Sequence, residues 1–316
     1  MTASKPRAKS KSKSKSKPKP GLLSHGRPPT SKPAASLSAK ATRTLIRSHH
    51  QLHKARARAV ADGDEALVAQ LDAQIAARGG LESYQLASKK GQSKERGGDS
   101  SKVLVEWLGD ALRVVKGGLD GNNGPRGRLR LLEVGALSTK NACSTIGALD
   151  VTRIDLHSQE KGILQQDFME RPLPSAEAER FHVISLSLVL NYVSDPAGRG
   201  EMLRRTTEFF TSELPPVLSG TQSAEPEGNV CFTPCLFLVL PAACVLNSRY
   251  FTEQRLDEIM SYLGYKMVQR KVTSKLIFYL WEYTPVQEGR GRKVVFRKEE
   301  LNPGRTRNNF AVTMGC

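Results

Sequence analysis

The sequence predicts a doubly wound α/β fold with a seven-stranded sheet, an N-terminal helical extension and disordered basic tails. Three observations predict it. From Leu129 onward the apolar residues come in short runs set apart by polar connections, as in a sheet buried on both faces. Helical patterns lie between several of these runs, and alternating strands and helices build a parallel, doubly wound sheet. The last two runs follow each other closely after a helix and read as an antiparallel pair at one edge.

Charge placement frames the rest. The 316 residues carry 48 Lys and Arg against 31 Asp and Glu, a net charge of +17. Residues 1–40 hold nine Lys, two Arg and no acid, and residues 289–316 hold seven basic against two acidic side chains. The body between them is nearly neutral, which excludes a uniformly basic protein that coats polyanions. The longest apolar run, Cys235 to Leu246, is broken by Pro241 and falls short of the roughly 20 residues a membrane helix needs. No membrane partner is expected. The N-terminus has no apolar stretch of the secretory type, and five cysteines, an odd number, fit a reducing intracellular compartment.

Taken in order, the run from Ser10 to Lys19 alternates Lys with small polar residues and has nothing apolar to bury, so residues 1–40 are expected to be disordered. Such a tail serves as a nuclear address, a nucleic-acid patch or a solubilising appendage. Residues 41–80 read as a helical hairpin. Leu45, Ile46, Leu52 and Val60 are interspersed with Arg43, Arg47, Lys54, Arg56 and Arg58, then Asp62-Gly63 breaks the pattern. Leu67, Val68, Leu71 and Ile75 resume it, with Asp62 and Glu65 as a capping box and Gly79-Gly80 as the stop. Arg47, Arg56 and Arg58 on the wet face are candidate RNA contacts, against an ordinary solvated face. His49, His50 and His53 share a turn, but no carboxylate or thiolate accompanies them and clustered Arg opposes a cation, so no metal is expected. Cys231 and Cys235 read as core thiols.

Val103, Leu104, Trp107, Leu108, Leu112 and Val115 mark an amphipathic helix that Asp99 to Ser101 can cap. The strands are Leu129–Val134, Val151–Leu156, Ile163–Gln166, Phe181–Leu188, Leu236–Leu240, Lys266–Arg270 and Leu276–Glu282, with helices at Gly200–Phe210 and Thr252–Leu263. Residues 81–285 thus form the α/β domain, and residues 286–316 a basic C-terminal extension.

In such a sheet a ligand sits beyond the carboxyl ends of the strands where their order reverses, normally after the first strand. Gly135 there lets the chain turn sharply, and Asp155, twenty residues on, is placed to accept from a ribose diol. A pyrophosphate needs a glycine-rich amide cradle, and residues 135–141 offer one glycine. Glu133, aimed at the loop, suits a cationic sulfonium nucleoside better than a dinucleotide. Asp167 and Phe168 after the third strand add a carboxylate for an adenine amino group beside an aromatic ring, or else a strand-ending turn. S-adenosyl-L-methionine is therefore the expected cofactor, with a dinucleotide and a purely structural Gly135 as the alternatives.

The stretches YQLASKKGQSKERGGDSSKVLVEWL from Tyr84, LLEVGALS from Leu131, LDVTRIDLHSQEKGILQQDFMERPLP from Leu149, FHVISLSLVLNYVSDP from Phe181 and FLVLPAACVLNSRYFTEQRL from Phe237 resemble the fungal 25S ribosomal RNA adenine-N1 methyltransferases. The resemblance covers most of residues 81–284. It implies a class I methyltransferase sheet of Rossmann-like type and methyl transfer to N1 of an adenine in pre-60S large-subunit RNA. It also implies a nucleolar location and cofactor contacts at Gly135 and Asp155. The same fold family includes S-adenosylmethionine sensors that bind a protein partner without transferring methyl, and that reading stays open beside the enzyme. A nicotinamide oxidoreductase is disfavoured by the missing phosphate loop. Positioning of adenine N1 is expected to supply most of the catalysis, with Tyr192 stacking on the base and Asn191 reading its edge. No residue is assigned acid or base work.

Overall fold

The structure, a computed structural model, describes residues 39–80, 83, 98–119, 127–158, 160–218, 232–285 and 294–315. The tail expected for residues 1–40 lies outside them except for Ala39 and Lys40, which already belong to the first helix, α1 (Ala39–Ala61).

The sheet has strands β1 (Leu129–Val134), β2 (Leu149–Asp155), β3 (Leu164–Gln165), β4 (Val183–Ser187), β5 (Cys235–Pro241), β6 (Tyr265–Val272) and β7 (Leu276–Tyr283). Their order is β3-β2-β1-β4-β5-β7-β6. The first five strands are parallel, and β7 runs antiparallel to both β5 and β6. Composition explains why the last strand takes the inner place. LIFYLWEY of β7 is apolar on both faces and fills a central slot, while β6 carries Lys266, Arg270 and Lys271, which suit an exposed edge and discourage further pairing.

Two cores flank the sheet. On one face α3 (Ser101–Trp107) and α4 (Gly109–Leu119) cover Leu129, Leu131, Phe237 and Phe278. The helix expected as one piece is therefore two, divided at Leu108. On the other face α5 (Pro196–Thr206), α6 (Ala242–Leu246) and α7 (Glu253–Tyr262) cover Leu132, Val134, Leu238 and Trp281. α5 starts before the expected Gly200 because Asp195 accepts from the Gly198 amide at 2.7 Å and Pro196 sits in the first turn. α7 is capped as expected: Thr252 Oγ1 accepts from the Arg255 amide at 3.0 Å.

The helical hairpin is present, with α2 spanning Glu65–Ala77. Its cap is Asp64, whose Oδ1 accepts from the Leu67 amide at 2.9 Å, not the expected Asp62 box. Arg56 donates through Nε and Nη2 to Asp72 on α2 at 2.5 and 3.0 Å.

The C-terminal segment corrects the sequence reading. Residues 294–315 are not a loose tail, because Phe296, Phe310, Ala311, Val312 and Met314 are buried in the core under α5 and α7. The Thr313 amide donates to Pro196 O at 3.0 Å. A Cβ on Gly200 would lie 2.0 Å from Thr313 O, so the segment approaches α5 as closely as a glycine permits. No helix among the described residues is long and apolar enough to cross a membrane.

Candidate cofactor and base site

Strand order reverses at β1, with β2 on one side and β4 on the other, so the crevice opens beyond their carboxyl ends. Register sets the level. Val134 pairs with Ile154 and with Leu186, which puts Gly135, Asp155 and Ser187 one step further along at the same edge. Gly135 has φ +75°, and its amide donates to Ile154 O at 2.8 Å. A Cβ there would stand 2.6 Å from Val189 Cγ2, so the position needs glycine both for its backbone and for its space.

Glu133 alternates with Leu129 and Leu131 on the face covered by α3, and it is 8 % exposed. Its Oε1 accepts from Asn141 Nδ2 at 2.6 Å, while Oε2 has no partner. Burial pushes the carboxyl up to about 7, against the Asn141 hydrogen bond and the Arg153 charge, which pull it down. Among the described residues only three buried side-chain polar atoms lack a partner: Glu133 Oε2, Asn191 Oδ1 and Trp281 Nε1. Of these, Glu133 lies near the carboxyl end of β1 and Asn191 in the turn that follows the neighbouring β4.

Asp155 ends β2, half-buried, and its Oδ1 accepts from the His157 amide at 2.8 Å. Asp167 is half-buried after β3, where its Oδ1 accepts from the Met169 amide at 2.7 Å in a strand-ending turn. Phe168 does not serve as expected. Its ring is buried in the core, 5.4 Å from that of Phe209, so it has no face to offer an adenine. Asn191 and Tyr192 are half-buried in the turn after β4, and the Tyr192 amide donates to Val189 O at 2.8 Å. That turn begins at Leu188 with φ +59°, a left-handed conformation that costs a side-chain-bearing residue roughly 1–2 kcal/mol.

The basic face of the hairpin divides. Arg47 and Arg58 are exposed, whereas Arg56 is engaged with Asp72 and is no longer an open phosphate contact. The His53 ring is pushed below its ordinary value by burial and then by Arg56, and His157 is also among its charged neighbours. This brings α1 beside the carboxyl end of β2, an arrangement no sequence spacing announces. The His49 and His53 ring centroids are 4.3 Å apart, and no group of three metal-ligating side chains gathers among the described residues. Cys235 is buried on β5; Cys231 lies outside the described residues.

Several contributors were not foreseen. Asp99 Oδ1 accepts from the Ser101 amide at 2.9 Å, its Oδ2 accepts from the Ala142 amide at 2.5 Å, and Ser101 Oγ accepts from the Cys143 amide at 3.1 Å. Ser100 Oγ and Ser187 Oγ share a hydrogen bond at 2.7 Å. The segment before α3 thus ties the β1 loop to the end of β4. Its run of small polar residues at 99–101 was legible only as a helix cap. Arg199 was also missed. Although buried, it donates to Val193 O at 2.8 Å and Ala311 O at 2.5 Å, with its guanidinium 4.3 Å from the Phe310 ring centroid.

These residues fit a sulfonium nucleoside. The β1 loop turns at a left-handed Gly135 and has no phosphate cradle, Asp155 ends β2 at the same edge, and the unpartnered Glu133 oxygen favours a positive group.

Comparison with known proteins agrees with this geometry. The family described as 25S rRNA (adenine(2142)-N(1))-methyltransferase, Bmt2, matches residues 69–312. A Schizosaccharomyces pombe protein named 25S rRNA adenine-N(1) methyltransferase is 36% identical over 276 residues, covering 85% of this chain and 89% of that protein. The Saccharomyces cerevisiae 25S rRNA (adenine(2142)-N(1))-methyltransferase is 36% identical over 244 residues, 76% of this chain and 62% of its own length. Among solved structures, the N-methyltransferase NodS of Bradyrhizobium japonicum aligns over 56% of this chain and 86% of its own, at 12% identity and a TM-score of 0.34, which adds nothing to the topology above. On the extent of the family match and of both relatives, this chain belongs to the 25S rRNA (adenine-N1) methyltransferase family.

Proposed function

We propose that this chain transfers a methyl group from S-adenosyl-L-methionine to N1 of an adenine in large-subunit ribosomal RNA. The observation that carries the reading is the pair of orphaned acceptors, Glu133 Oε2 near the end of β1 and Asn191 Oδ1 in the turn after β4. Family membership supplies the substrate class.

Bound at the β1 and β2 ends, the cofactor supplies an electrophilic methyl group on a sulfonium. Gly135 would let the backbone approach it, Asp155 would accept from the ribose hydroxyls, and Glu133 would set a negative charge against its positive one. Asp167 would accept from the adenine amino group of the cofactor. On the β4 side, Asn191 Oδ1 accepts from the exocyclic amino group of the target adenine, next to N1, and Tyr192 stacks on the base. N1 carries a free lone pair once the base is unpaired, so no base is needed to remove a proton from it. As N1 takes the methyl group, positive charge would pass to the adenine ring and its amino group would become a stronger donor. The Asn191 hydrogen bond therefore strengthens in the transition state, which is where binding energy accelerates a reaction. Arg47 and Arg58 add phosphate attraction from the hairpin.

The basic residues 1–40 support a nucleolar location and accessory RNA binding for the same protein. The test is mass mapping of 1-methyladenine in large-subunit RNA from cells with the protein, without it, and with Asp155→Ala. Loss of one methyladenine in the second and third strains is expected. An unchanged map together with intact cofactor binding would favour a sensor.

A further inference from the structure

The folded C-terminal segment carries a loop, residues 302–309, that the methyl-transfer reading leaves unused. Both of its ends are pinned to one stretch of chain. Leu301 and Asn302 amides donate to Arg249 O at 2.7 and 3.0 Å, the Arg249 amide donates to Asn308 O at 3.0 Å, and the Asn308 amide donates to Asn247 O at 3.0 Å. Side chains add to the mount: Asn308 Nδ2 donates to Ala243 O at 2.6 Å and Arg249 Nε to Gly304 O at 2.9 Å. Residues 243–249 run from within α6, which follows directly on the carboxyl end of β5, the strand beside β4. Beyond the loop, residues 310–313 pack on Pro196 and Arg199, just past the Asn191 turn. The loop is therefore pinned on the β4–β5 side of the crevice.

Its chemistry is one-sided. Arg305 and Thr306 are exposed and Arg307 half-exposed, residues 301–316 contain no acid, and neither arginine nor Arg249 is in an ion pair among the described residues. None of the exposed large apolar side chains falls in residues 301–315. A protein interface is anchored by apolar and aromatic side chains, whereas a nucleic-acid interface is polar, wet and positively charged. Guanidinium forks match phosphate oxygens in pairs.

We propose that the loop Asn302–Asn309 is a phosphate-binding surface, with Arg305 and Arg307 gripping the backbone of the RNA strand whose adenine occupies the crevice. This rests on the RNA methyltransferase reading for the identity of the strand, and it assigns the register-setting contacts to this loop, with the hairpin as a second, weaker surface. Phosphate contacts of this kind fix where a strand lies without reading its bases.

The test compares full-length wild type, Arg305→Gln/Arg307→Gln, and a control of equal charge loss on α4, Arg113→Gln/Lys116→Gln. Binding to a large-subunit RNA fragment is measured at several salt concentrations, beside thermal midpoint and cofactor titration. The loop variant should lose about tenfold or more in RNA affinity, and the slope of log K against log salt should fall by roughly 1.4–1.8, about 0.7–0.9 per lost contact. The methylation defect should appear mainly in the KM for RNA, with cofactor affinity and thermal midpoint as in wild type. A loss no larger than that of the α4 control would overturn the proposal, since net charge alone would explain it. Unchanged RNA affinity with loss of binding to a polyglutamate peptide would overturn it in favour of an acidic protein partner. Because the primary readout is RNA binding, an inactive wild type would overturn the methyltransferase reading while leaving this comparison intact.

Discussion

Replacing Glu133 by Gln keeps the side chain's shape and removes its charge, so the variant isolates what burying that carboxyl costs. In the folded chain burial lifts the group from 4.5 to about 7, whereas the unfolded chain titrates near the ordinary value. The folded state thus holds a proton that the unfolded state has released. Stability from this group is fully present below about 4.5 and is lost as pH rises through about 7. At about 1.4 kcal/mol per pH decade, the whole span is worth ~3 kcal/mol. The variant's amide does not titrate, but it leaves unpaired N–H groups where Oε2 stood, a cost independent of pH. The informative quantity is therefore the change in ΔΔG with pH. Urea unfolding should show the variant gaining about 2.5 kcal/mol on wild type between pH 5 and pH 8.5. Cofactor affinity should move in a matching way: a cation beside Glu133 favours the ionised carboxyl, so wild-type affinity tightens between pH 6 and pH 8 while the variant's stays flat. Equal ΔΔG at both pH values would falsify the claim that this carboxyl is kept from water. A flat wild-type affinity would remove it from the cofactor's surroundings.

Four further outcomes are expected. Gly135→Ala should destabilise by about 1–3 kcal/mol, because the added Cβ meets Val189 and the backbone is left-handed, and calorimetry should show weaker cofactor binding in the fraction that folds. Gly200→Ala gains about 1 kcal/mol of helix propensity yet should lose stability by roughly 1–3 kcal/mol net, since Thr313 O stands where the methyl must go; proteolysis near the C-terminus should rise with it. His182 accepts from the Arg130 amide, and burial, helped by the Arg130 charge, pushes its imidazole down to about 4. Its contribution is present above about 6.5 and lost as pH falls toward 4, a loss of up to ~3 kcal/mol that Glu133→Gln, by removing the opposing titration, should make visible in urea unfolding. Asn191→Ala should lower single-turnover methylation at saturating RNA far more than RNA affinity; equal losses in both would assign it to strand binding.

The parts of the fold that burial dictates were legible. β1, β4 and β5 are mostly apolar and stand out as runs, and the distance from Gly135 to Asp155 follows from one loop and one strand. The insertion of β7 between β5 and β6 was not legible, because pairing order depends on which of two neighbouring strands can tolerate water on its edge. Phe168 was misplaced because a strand-ending aromatic looks the same in sequence whether its ring turns to the crevice or to Phe209. Arg56 looked free because its partner, Asp72, lies on the other helix of the hairpin. The C-terminal segment looked like a tail because Phe296 lies in a short apolar run flanked by Arg and Lys, and Phe310, Val312 and Met314, though spaced two apart, make only a short alternation after a basic stretch. Its buried side chains are placed by contacts made elsewhere in the chain, with Arg199, Ser248 and Gly200. Leu188 has no local signal at all, since its positive φ is imposed by the turn that follows β4.

The bond from Arg199 to Ala311 spans 112 positions, and it has a consequence for the nascent chain. During translation the corner after β4 emerges early, but the carbonyl and the aromatic ring that receive its guanidinium are made more than a hundred residues later. Until then the arginine must stay hydrated, so the corner cannot close around it. Closure waits as well for β7, which enters the sheet between two strands already synthesised. Contacts this distant in sequence form late and slowly. The crevice should therefore become competent in a final step, after the sheet, and a nascent chain that has not yet released Phe310 should hold a formed β1 loop but an open β4 corner.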